Sequence, residues 1–191
     1  MKKYIIVIPI GDPAGVGPEI VVKAVVDSVV QSMAICLVIG ERQILEDAMC
    51  FSHMSLTVNE IEDPEQCIDQ QGVMNLINLK NIDLSKHQMG KVSGMCGQAA
   101  YSYIEKSVEL VMNNQVDAVA TTPINKESLN AGKINFIGQT EIFAELTSIK
   151  DLFTMFEVHG MRVFSLSRHV SLHKACELVK RDSRDSWPKS A

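Results

Sequence analysis

The sequence predicts an α/β protein with a largely parallel sheet and flanking helices. Short runs of β-branched and apolar residues, typical of strands buried on both faces, alternate with segments of helical periodicity. This alternation is typical of units that build a parallel sheet. Polar or glycine-rich loops follow predicted strands at residues 11–17, 121–126 and 167–169. Because α/β folds bind ligands at the carboxyl ends of their strands, we expect the site in these loops.

The first half of the chain carries four predicted strands and two predicted helices. The strands lie at residues 4–10, 34–39, 56–58 and 73–77. The first two are continuous apolar runs, whereas the last two are short and are expected in a loop-rich layer. The helices lie at residues 18–30 and 41–49. Pro18 suits the first helical turn because its missing N–H group needs no partner there.

The second half begins with the longest predicted helix, at residues 93–114, which Ser93 can cap. Further helices are predicted at residues 126–131, 140–147 and about 171–180. Gly132 offers a natural end to the first of these, and Ser171 can cap the last. The predicted strands lie at residues 117–121, 152–158 and 161–166, the last two joined by a turn at His159 and Gly160.

Length and composition indicate a globular protein and argue against two classes of partner. The 191 residues suffice for a buried core, and the formal net charge of -5 disfavours nucleic-acid binding. The apolar run at residues 4–10 is too short to cross a membrane and is not followed by a cleavage site. Five scattered cysteines without a C-x-x-C pair fit reduced thiols. We therefore expect a cytoplasmic protein without a membrane partner.

The first candidate motif is a glycine-rich loop between a strand and a helix, G-D-P-A-G-V-G-P-E at residues 11–19. Glycines permit positive φ angles and close backbone approach, and a helix N-terminus attracts anions. The motif is neither the Rossmann pattern nor the P-loop pattern. The residues alone leave two interpretations open, a loop that faces a ligand and a plain tight turn.

Two further motifs place polar side chains near helix starts. T-T-P-I-N-K at residues 121–126 supplies hydroxyl groups and the cation of Lys126, which could hold a phosphate or carboxylate. Without further context, the residues favour the simpler interpretation, a turn that does no more than cap the following helix. G-Q-T-E at residues 138–141 supplies Gln139 and Thr140, which could bind an anion or form an ordinary helix start. Each motif alone is weak evidence.

A histidine pair follows the last predicted strand. His169 and His173 are four residues apart, a spacing that can bind a metal when both lie on one helix. Because the predicted helix begins near Ser171, His169 belongs to the preceding loop. We therefore do not expect this pair to chelate a metal by itself.

Together, these motifs resemble a known enzyme family. I-G-D-P-A-G-V-G-P-E, T-T-P-I-N-K, F-I-G-Q-T-E and R-H-V-S-L occur in the order, and with similar spacing, of the 4-hydroxythreonine-4-phosphate dehydrogenase family of pyridoxine biosynthesis. The segments M-C-G-Q-A-A-Y and T-M-F-E are similar to the branch of D-threonate and D-erythronate 4-phosphate dehydrogenases. The resemblance covers about residues 4–182.

The resemblance implies an isocitrate dehydrogenase-like fold, with two α/β domains per chain, a homodimer and an active site in the cleft between the domains. It also implies oxidation of a 4-phosphorylated 3-hydroxy acid by NAD, followed by loss of the carboxylate as carbon dioxide. A divalent metal (zinc, magnesium or cobalt) held by histidines would act as the Lewis acid. Position by position, His169 matches a metal ligand and Thr140 matches a substrate-binding threonine.

The sequence departs from the family pattern in two places. Gln139 stands where the family typically has a substrate-contacting histidine, and glutamine offers a neutral hydrogen bond in place of a charge-assisted one. From residue 183 the sequence S-R-D-S-W-P-K-S-A no longer resembles the family, whose second half carries two more metal-ligand histidines and much of the NAD site. One histidine does not hold a catalytic metal.

We therefore expect a truncated or frameshifted chain that is inactive and poorly stable alone and does not retain the metal. Its predicted organisation is a first domain at about residues 1–125, the start of a second domain at about 126–182, and an unrelated tail at 183–191. The alternatives are a phosphate-ligand module that binds without catalysis, and a fragment that interacts with another subunit.

Overall fold

The computed structural model describes residues 3–136, 138–149, 154–165 and 170–179. The chain divides into two compact units, Met1–Ser148 and Ile149–Ala191, and each is described by itself. The first unit runs past residue 125, and the domain boundary expected there for a two-domain dehydrogenase stays a prediction. In the described residues, no helix combines the length and apolarity needed to cross a bilayer.

A five-stranded parallel sheet forms the centre of the first unit. Its strands are β1 (Tyr4–Pro9), β2 (Ala34–Gly40), β3 (Thr57–Glu60), β4 (Val73–Asn78) and β5 (Ala118–Val119), in the spatial order β3-β4-β2-β1-β5. Val7 of β1 lies beside Leu37 of β2, and both are completely buried. Continuous apolar strands suit a parallel sheet that is covered on both faces. The α/β fold class predicted from the sequence is confirmed.

Helices pack around this sheet and on one another. They are α1 (Gly17–Val26), α2 (Ser28–Met33), α3 (Arg42–Phe51), α4 (Gly94–Met112), α5 (Lys126–Ala131) and α6 (Gln139–Thr147). α1 packs on α3, whereas α4 packs on β1, β2 and β5 and also on α5 and α6. The long helix α4 therefore connects the sheet to the two helices that carry the predicted substrate residues.

The prediction of one continuous helix at residues 18–30 is wrong, because the structure has two helices there, α1 and α2. Asp27 lies between them with an extended backbone, φ −64° and ψ 123°. Its Oδ1 accepts hydrogen bonds from the N–H groups of Val29 at 2.8 Å and Val30 at 3.1 Å. An aspartate that caps a new helix competes with continuation of the preceding one.

Three other local predictions need correction. β3 and β4 do not form a separate loop-rich layer, because β4 pairs with both β2 and β3 in the parallel sheet. β5 has two residues, fewer than the stretch predicted at 117–121. Ser93 occupies the N-cap position of α4, but its side chain makes no capping hydrogen bond. Strand pairing and cap geometry depend on distant residues, which local sequence patterns do not reveal.

Two apolar clusters hold the first unit together. The larger cluster lies between the sheet and its helices, and its fully buried members include Val7, Leu37, Ile39, Met74, Leu76 and Tyr103. A smaller cluster contains Ile104, Val108, Leu129 and Ile142, which come from α4, α5 and α6. Burial of these side chains fixes α5 and α6 against α4, and with them the first residues of both helices.

The described part of the second unit is a hairpin and a short helix. β6 (Met155–Val158) pairs antiparallel with β7 (Met161–Phe164). His159 and Gly160 have φ angles of 48° and 80°, as expected in a type I′ turn, so the predicted hairpin is confirmed. α7 (Leu172–Leu178) is capped by Ser171, whose hydroxyl accepts from the Lys174 N–H at 3.3 Å. Residues 152, 153, 166 and 180 of the predicted elements lie outside the described residues.

Candidate functional site

Two loops meet at the carboxyl ends of β1 and β5. One is the glycine-rich loop at residues 11–17, and the other is the loop at residues 120–125. The Thr122 hydroxyl donates a hydrogen bond to the Pro9 carbonyl at 2.8 Å, and the Asp12 N–H donates to the Pro123 carbonyl at 3.2 Å. Neighbouring parallel strands end at the same edge of the sheet, and these bonds fix the two loops against each other.

Close backbone packing requires glycine at two positions of the first loop. A Cβ atom on Gly11, which has φ +70°, would lie 2.2 Å from the Pro123 carbonyl oxygen. A Cβ atom on Gly17 would lie 2.0 Å from the Ile10 carbonyl oxygen. Both distances are far inside van der Waals contact, so a side chain would force the loops apart. The motif therefore encodes a tight turn, one of the two interpretations left open by the sequence.

Asp12 stabilises the first loop from inside. It is buried, and its Oδ1 accepts a hydrogen bond from the Ala14 N–H at 2.8 Å, while its carbonyl accepts from the Gly15 N–H at 2.9 Å. The Ala14 carbonyl accepts from the Gly90 N–H at 2.8 Å, and a ring nitrogen of His87 lies 3.2 Å from the Pro13 carbonyl oxygen. The loop is therefore held both by its own aspartate and by the segment at residues 87–90.

An open groove of about 580 Å³ lies beside the two loops. It is lined by Asp12, Gly15, Val16, Pro123, Ile124, Asn125, Lys126 and Glu127. Lys126 is exposed and forms no ion pair with any residue that the structure describes. An ammonium group in such a groove can form charge-assisted hydrogen bonds with a phosphate or carboxylate. The loop at residues 11–17 therefore also borders a space that can hold a ligand.

The structure confirms one interpretation of the T-T-P-I-N-K motif, that it caps the following helix, and binding of a phosphate or carboxylate by Lys126 stays a prediction. Asn125 caps α5, since its Oδ1 accepts hydrogen bonds from the N–H groups of Glu127 at 2.8 Å and Ser128 at 3.1 Å. Lys126, the first residue of α5, lines the groove. The cap fixes the start of the helix and so the origin of the lysine side chain.

The G-Q-T-E motif reaches the same loop from α6. Gln139 is the first residue of α6, and its Nε2 donates a hydrogen bond to the Thr122 carbonyl at 2.6 Å. Thr140 follows in the same helical turn and is half-buried, and no hydrogen bond joins its side chain to another described residue. The structure thus brings Gln139 and Lys126 to one loop, with Thr140 one residue further along α6.

His169, the predicted metal ligand, lies outside the described residues. Within the described ranges, no group of three or more histidine, cysteine, aspartate or glutamate side chains could hold a metal ion. His173 is exposed on α7, with its Nε2 3.3 Å from Glu177 Oε1. The described residues therefore do not form a metal centre, and the metal site stays a prediction.

Sequence reasoning missed a buried carboxyl group at the end of β2. Glu41 is buried, and its Oε2 has no hydrogen-bond partner among the described residues. Burial raises the pKa of this carboxyl, and the backbone N–H groups of Ile82 and Arg42 oppose the rise only in part. Burial, followed by the charge of Glu41, raises the pKa of Tyr103, whose hydroxyl donates to Asn81 Oδ1 at 3.0 Å. The sequence did contain a signal for this residue: Glu41 directly follows a buried strand, as the loops that carry the motifs do.

These features define the class of the molecule as an α/β protein of the type that binds ligands at the carboxyl edge of a parallel sheet. The chain belongs to the family of the pyridoxal phosphate biosynthetic protein PdxA, whose family model matches residues 32–186. The family membership predicted from the four motifs is confirmed.

Similar proteins of known name agree with this assignment. A protein of Clostridium botulinum named "Putative D-threonate 4-phosphate dehydrogenase" is 51% identical over 181 residues, which are 95% of this chain and 54% of the relative. A protein of the same name from Fusobacterium nucleatum is 49% identical over 177 residues, which are 93% of this chain and 53% of the relative. The chain therefore spans about half the length of the curated relatives it matches.

Solved structures show the same fold. The crystal structure of a 4-hydroxythreonine-4-phosphate dehydrogenase from Burkholderia phymatum matches with a TM-score of 0.90 and 33% sequence identity. The match covers 96% of this chain and 55% of that chain. A structure of 4-hydroxythreonine-4-phosphate dehydrogenase from Klebsiella pneumoniae matches with a TM-score of 0.86 and 25% identity, over 95% of this chain and 55% of that chain.

Proposed function

We propose that the groove beside the two loops binds a 4-phosphorylated hydroxy acid, as the substrate-holding part of a dehydrogenase of this family. The names of the relatives, D-threonate 4-phosphate and 4-hydroxythreonine-4-phosphate dehydrogenase, support this ligand class. The observation that carries the proposal is the 2.6 Å hydrogen bond from Gln139 Nε2 to the Thr122 carbonyl. It joins two motifs that lie apart in the sequence, because Gln139 begins α6 and Thr122 lies in the loop that leads to Lys126 of the groove lining.

Each proposed ligand residue has a distinct chemical role. Lys126 supplies a flexible positive charge for the phosphate. Thr140 supplies a hydroxyl that can donate to an anionic oxygen, while the amide of Gln139 is bonded to the loop that precedes Lys126. Thr140 is half-buried in the first turn of α6, and its proposed role is to donate its hydroxyl to the ligand.

The reaction that we propose for the complete enzyme is oxidation of the substrate hydroxyl followed by decarboxylation. NAD supplies the hydride acceptor, and a divalent metal, with His169 as the candidate ligand in this chain, supplies Lewis acidity. We also propose that the complete enzyme is a homodimer and acts in the cytoplasm. We expect this chain by itself to bind the acid without turnover, because it matches one of the family's metal-ligand histidines.

Isothermal titration calorimetry with 4-phospho-D-threonate tests the proposal directly. We expect saturable binding to the 191-residue chain. Lys126→Ala should weaken it about tenfold, since a charge-assisted contact contributes on the order of 1.5 kcal/mol. Lys133→Ala is the matched control, because Lys133 is also an exposed lysine outside the groove lining. Equal losses in the two variants, or no binding of any phosphorylated acid, would show that the groove is not the site.

An assay of NADH formation separates catalysis from binding. The chain is mixed with NAD, a divalent metal and, in turn, 4-phospho-D-threonate, 4-phospho-D-erythronate and 4-phospho-hydroxythreonine. We expect binding without NADH formation, since the chain matches one of the family's metal-ligand histidines. Turnover at the rate of full-length relatives would contradict the expected inactivity and would establish the dehydrogenase reaction for this chain.

A further inference from the structure

The loop at residues 120–125 is held from two sides. Toward β1, it is fixed by the hydrogen bonds between Thr122 and Pro9 and between Asp12 and Pro123. Toward α6, Gln139 Nε2 supplies a hydrogen bond to the Thr122 carbonyl at 2.6 Å. The bonds toward β1 do not involve α6. Among the described residues, this contact from Gln139 is the hydrogen bond that couples the loop to the start of α6, while Ile124 of the loop packs on the apolar cluster that contains Ile142 of α6.

The amide of Gln139 is already engaged before any ligand binds. A glutamine amide has two N–H donors and one oxygen acceptor, and one of these donors is committed to the Thr122 carbonyl. That carbonyl lies four residues before Lys126, which begins α5 directly after the loop. A side chain that fixes this loop also fixes the starting point of the lysine that lines the groove.

We propose that Gln139 is a positioning residue that sets the location of Lys126 relative to α6, and that it acts through Thr122 and not as an independent ligand of the phosphate. This inference rests on the proposed function of the groove. The neutral amide makes the link independent of pH, because glutamine does not titrate. The backbone that carries the lysine side chain is then fixed before an anion binds, which lowers the entropy lost on binding.

A double-mutant cycle distinguishes positioning from direct contact. The affinity for 4-phospho-D-threonate is measured by calorimetry for the wild type, Gln139→Ala, Lys126→Ala and the double variant. We expect Gln139→Ala to weaken binding roughly fivefold in the wild-type background, as loss of one neutral hydrogen bond predicts. In the Lys126→Ala background the same change should weaken binding less than about twofold, because the residue that it positions is gone. Equal losses in both backgrounds would overturn the proposal.

Gln98→Ala provides a matched control. Gln98 Nε2 donates to the Gly132 carbonyl at 3.2 Å, which is the same kind of amide-to-carbonyl bond between α4 and the end of α5, outside the groove lining. We expect this variant to bind 4-phospho-D-threonate as the wild type does. Gln139→Glu extends the series, because it keeps the size of the side chain and places a carboxylate against the Thr122 carbonyl. It should weaken binding at least as much as Gln139→Ala.

Hydrogen–deuterium exchange of the ligand-free chain tests the link without relying on ligand binding. The peptide that covers residues 120–126 should exchange faster in Gln139→Ala than in the wild type or in Gln98→Ala. Unchanged exchange there would overturn the positioning role. If no phosphorylated acid binds to the wild type, the proposed function fails, whereas faster exchange in Gln139→Ala would still show that this amide holds the loop.

Discussion

The two compact units use apolar strand residues in different ways. In the first unit, Val7 and Leu37 of adjacent strands are completely buried. In the second unit, five apolar hairpin side chains are between 45% and 62% exposed, and Phe164 is half-buried; the five are Met155, Phe156, Val158, Met161 and Val163. Both regions have strand-like sequences. β-propensity therefore builds a core only where several strands and helices meet, since a two-stranded hairpin alone has marginal stability.

Truncation of a core side chain should give the largest difference between the units. Leu37→Ala removes a completely buried side chain from β2 and should lower the free energy of unfolding by about 3 kcal/mol. Val163→Ala, in a hairpin strand where this side chain is 45% exposed, should change it by less than about 0.5 kcal/mol. Urea unfolding followed by far-UV circular dichroism measures both. Similar losses in the two variants would mean that the hairpin contributes to the same core.

Replacing a glycine with alanine should also have different effects on the stability of the two units. Gly17→Ala places a Cβ atom against the Ile10 carbonyl and should destabilise the first unit by about 2 kcal/mol. Gly160→Ala meets no atom within 4 Å, so the strain of its positive φ, on the order of 1 kcal/mol, should affect only the hairpin. The same urea titration checks both variants. A Gly17→Ala variant as stable as the wild type would contradict the observed loop packing.

The buried carboxyl of Glu41 predicts a smaller, pH-dependent effect in the first unit. Its pKa is raised in the folded state, so the native chain holds this proton at pH values where the unfolded chain has released it. The free energy of unfolding should therefore fall as the pH rises from the ordinary glutamate pKa through the raised native value. The Glu41→Gln variant should lack this pH-dependent contribution. Between the ordinary glutamate pKa and the raised native pKa, its free energy of unfolding should therefore increase relative to that of the wild type as the pH rises.

A control in the other unit makes the Glu41 measurement specific. Glu157→Gln removes an exposed ion pair with Arg162, in which Arg162 Nε lies 3.2 Å from Glu157 Oε2. Exposed pairs of this kind contribute about 0–1 kcal/mol. Unfolding of the first unit should therefore be nearly unchanged by Glu157→Gln at each pH. A pH dependence in Glu41→Gln identical to that of the wild type would exclude Glu41 as its source.

Local signals explain which parts of the fold could be predicted from the sequence. The long apolar runs of β1 and β2 specified buried strands, and Gly132 marked the end of α5. The break at Asp27 was missed because helical periodicity continues across a residue that caps a new helix. The places of β3 and β4 in the sheet depend on pairing with distant strands, which period-two patterns do not encode.

The candidate site was predicted in its parts but not in its assembly. Lys126, Gln139 and Thr140 were identified by residue type, and the resemblance to the family joined them. No local pattern indicates that Gln139 donates to the Thr122 carbonyl, because that contact depends on how α5 and α6 pack on α4. Glu41 was overlooked because an isolated glutamate after a strand is most often a solvated residue.

The glycine-rich loop and the T-T-P-I-N-K motif line one groove in the first unit, which we propose binds an anion. This proposal is tested by titrating the uniformly ¹⁵N-labelled chain with 4-phospho-D-threonate and following the backbone amide chemical shifts. We predict saturable shifts at residues 11–17, 122–127 and 138–140, and none in the hairpin at residues 155–164. Shifts that never saturate, or that cluster in the hairpin while Lys126 and Gln139 stay unchanged, would contradict the account.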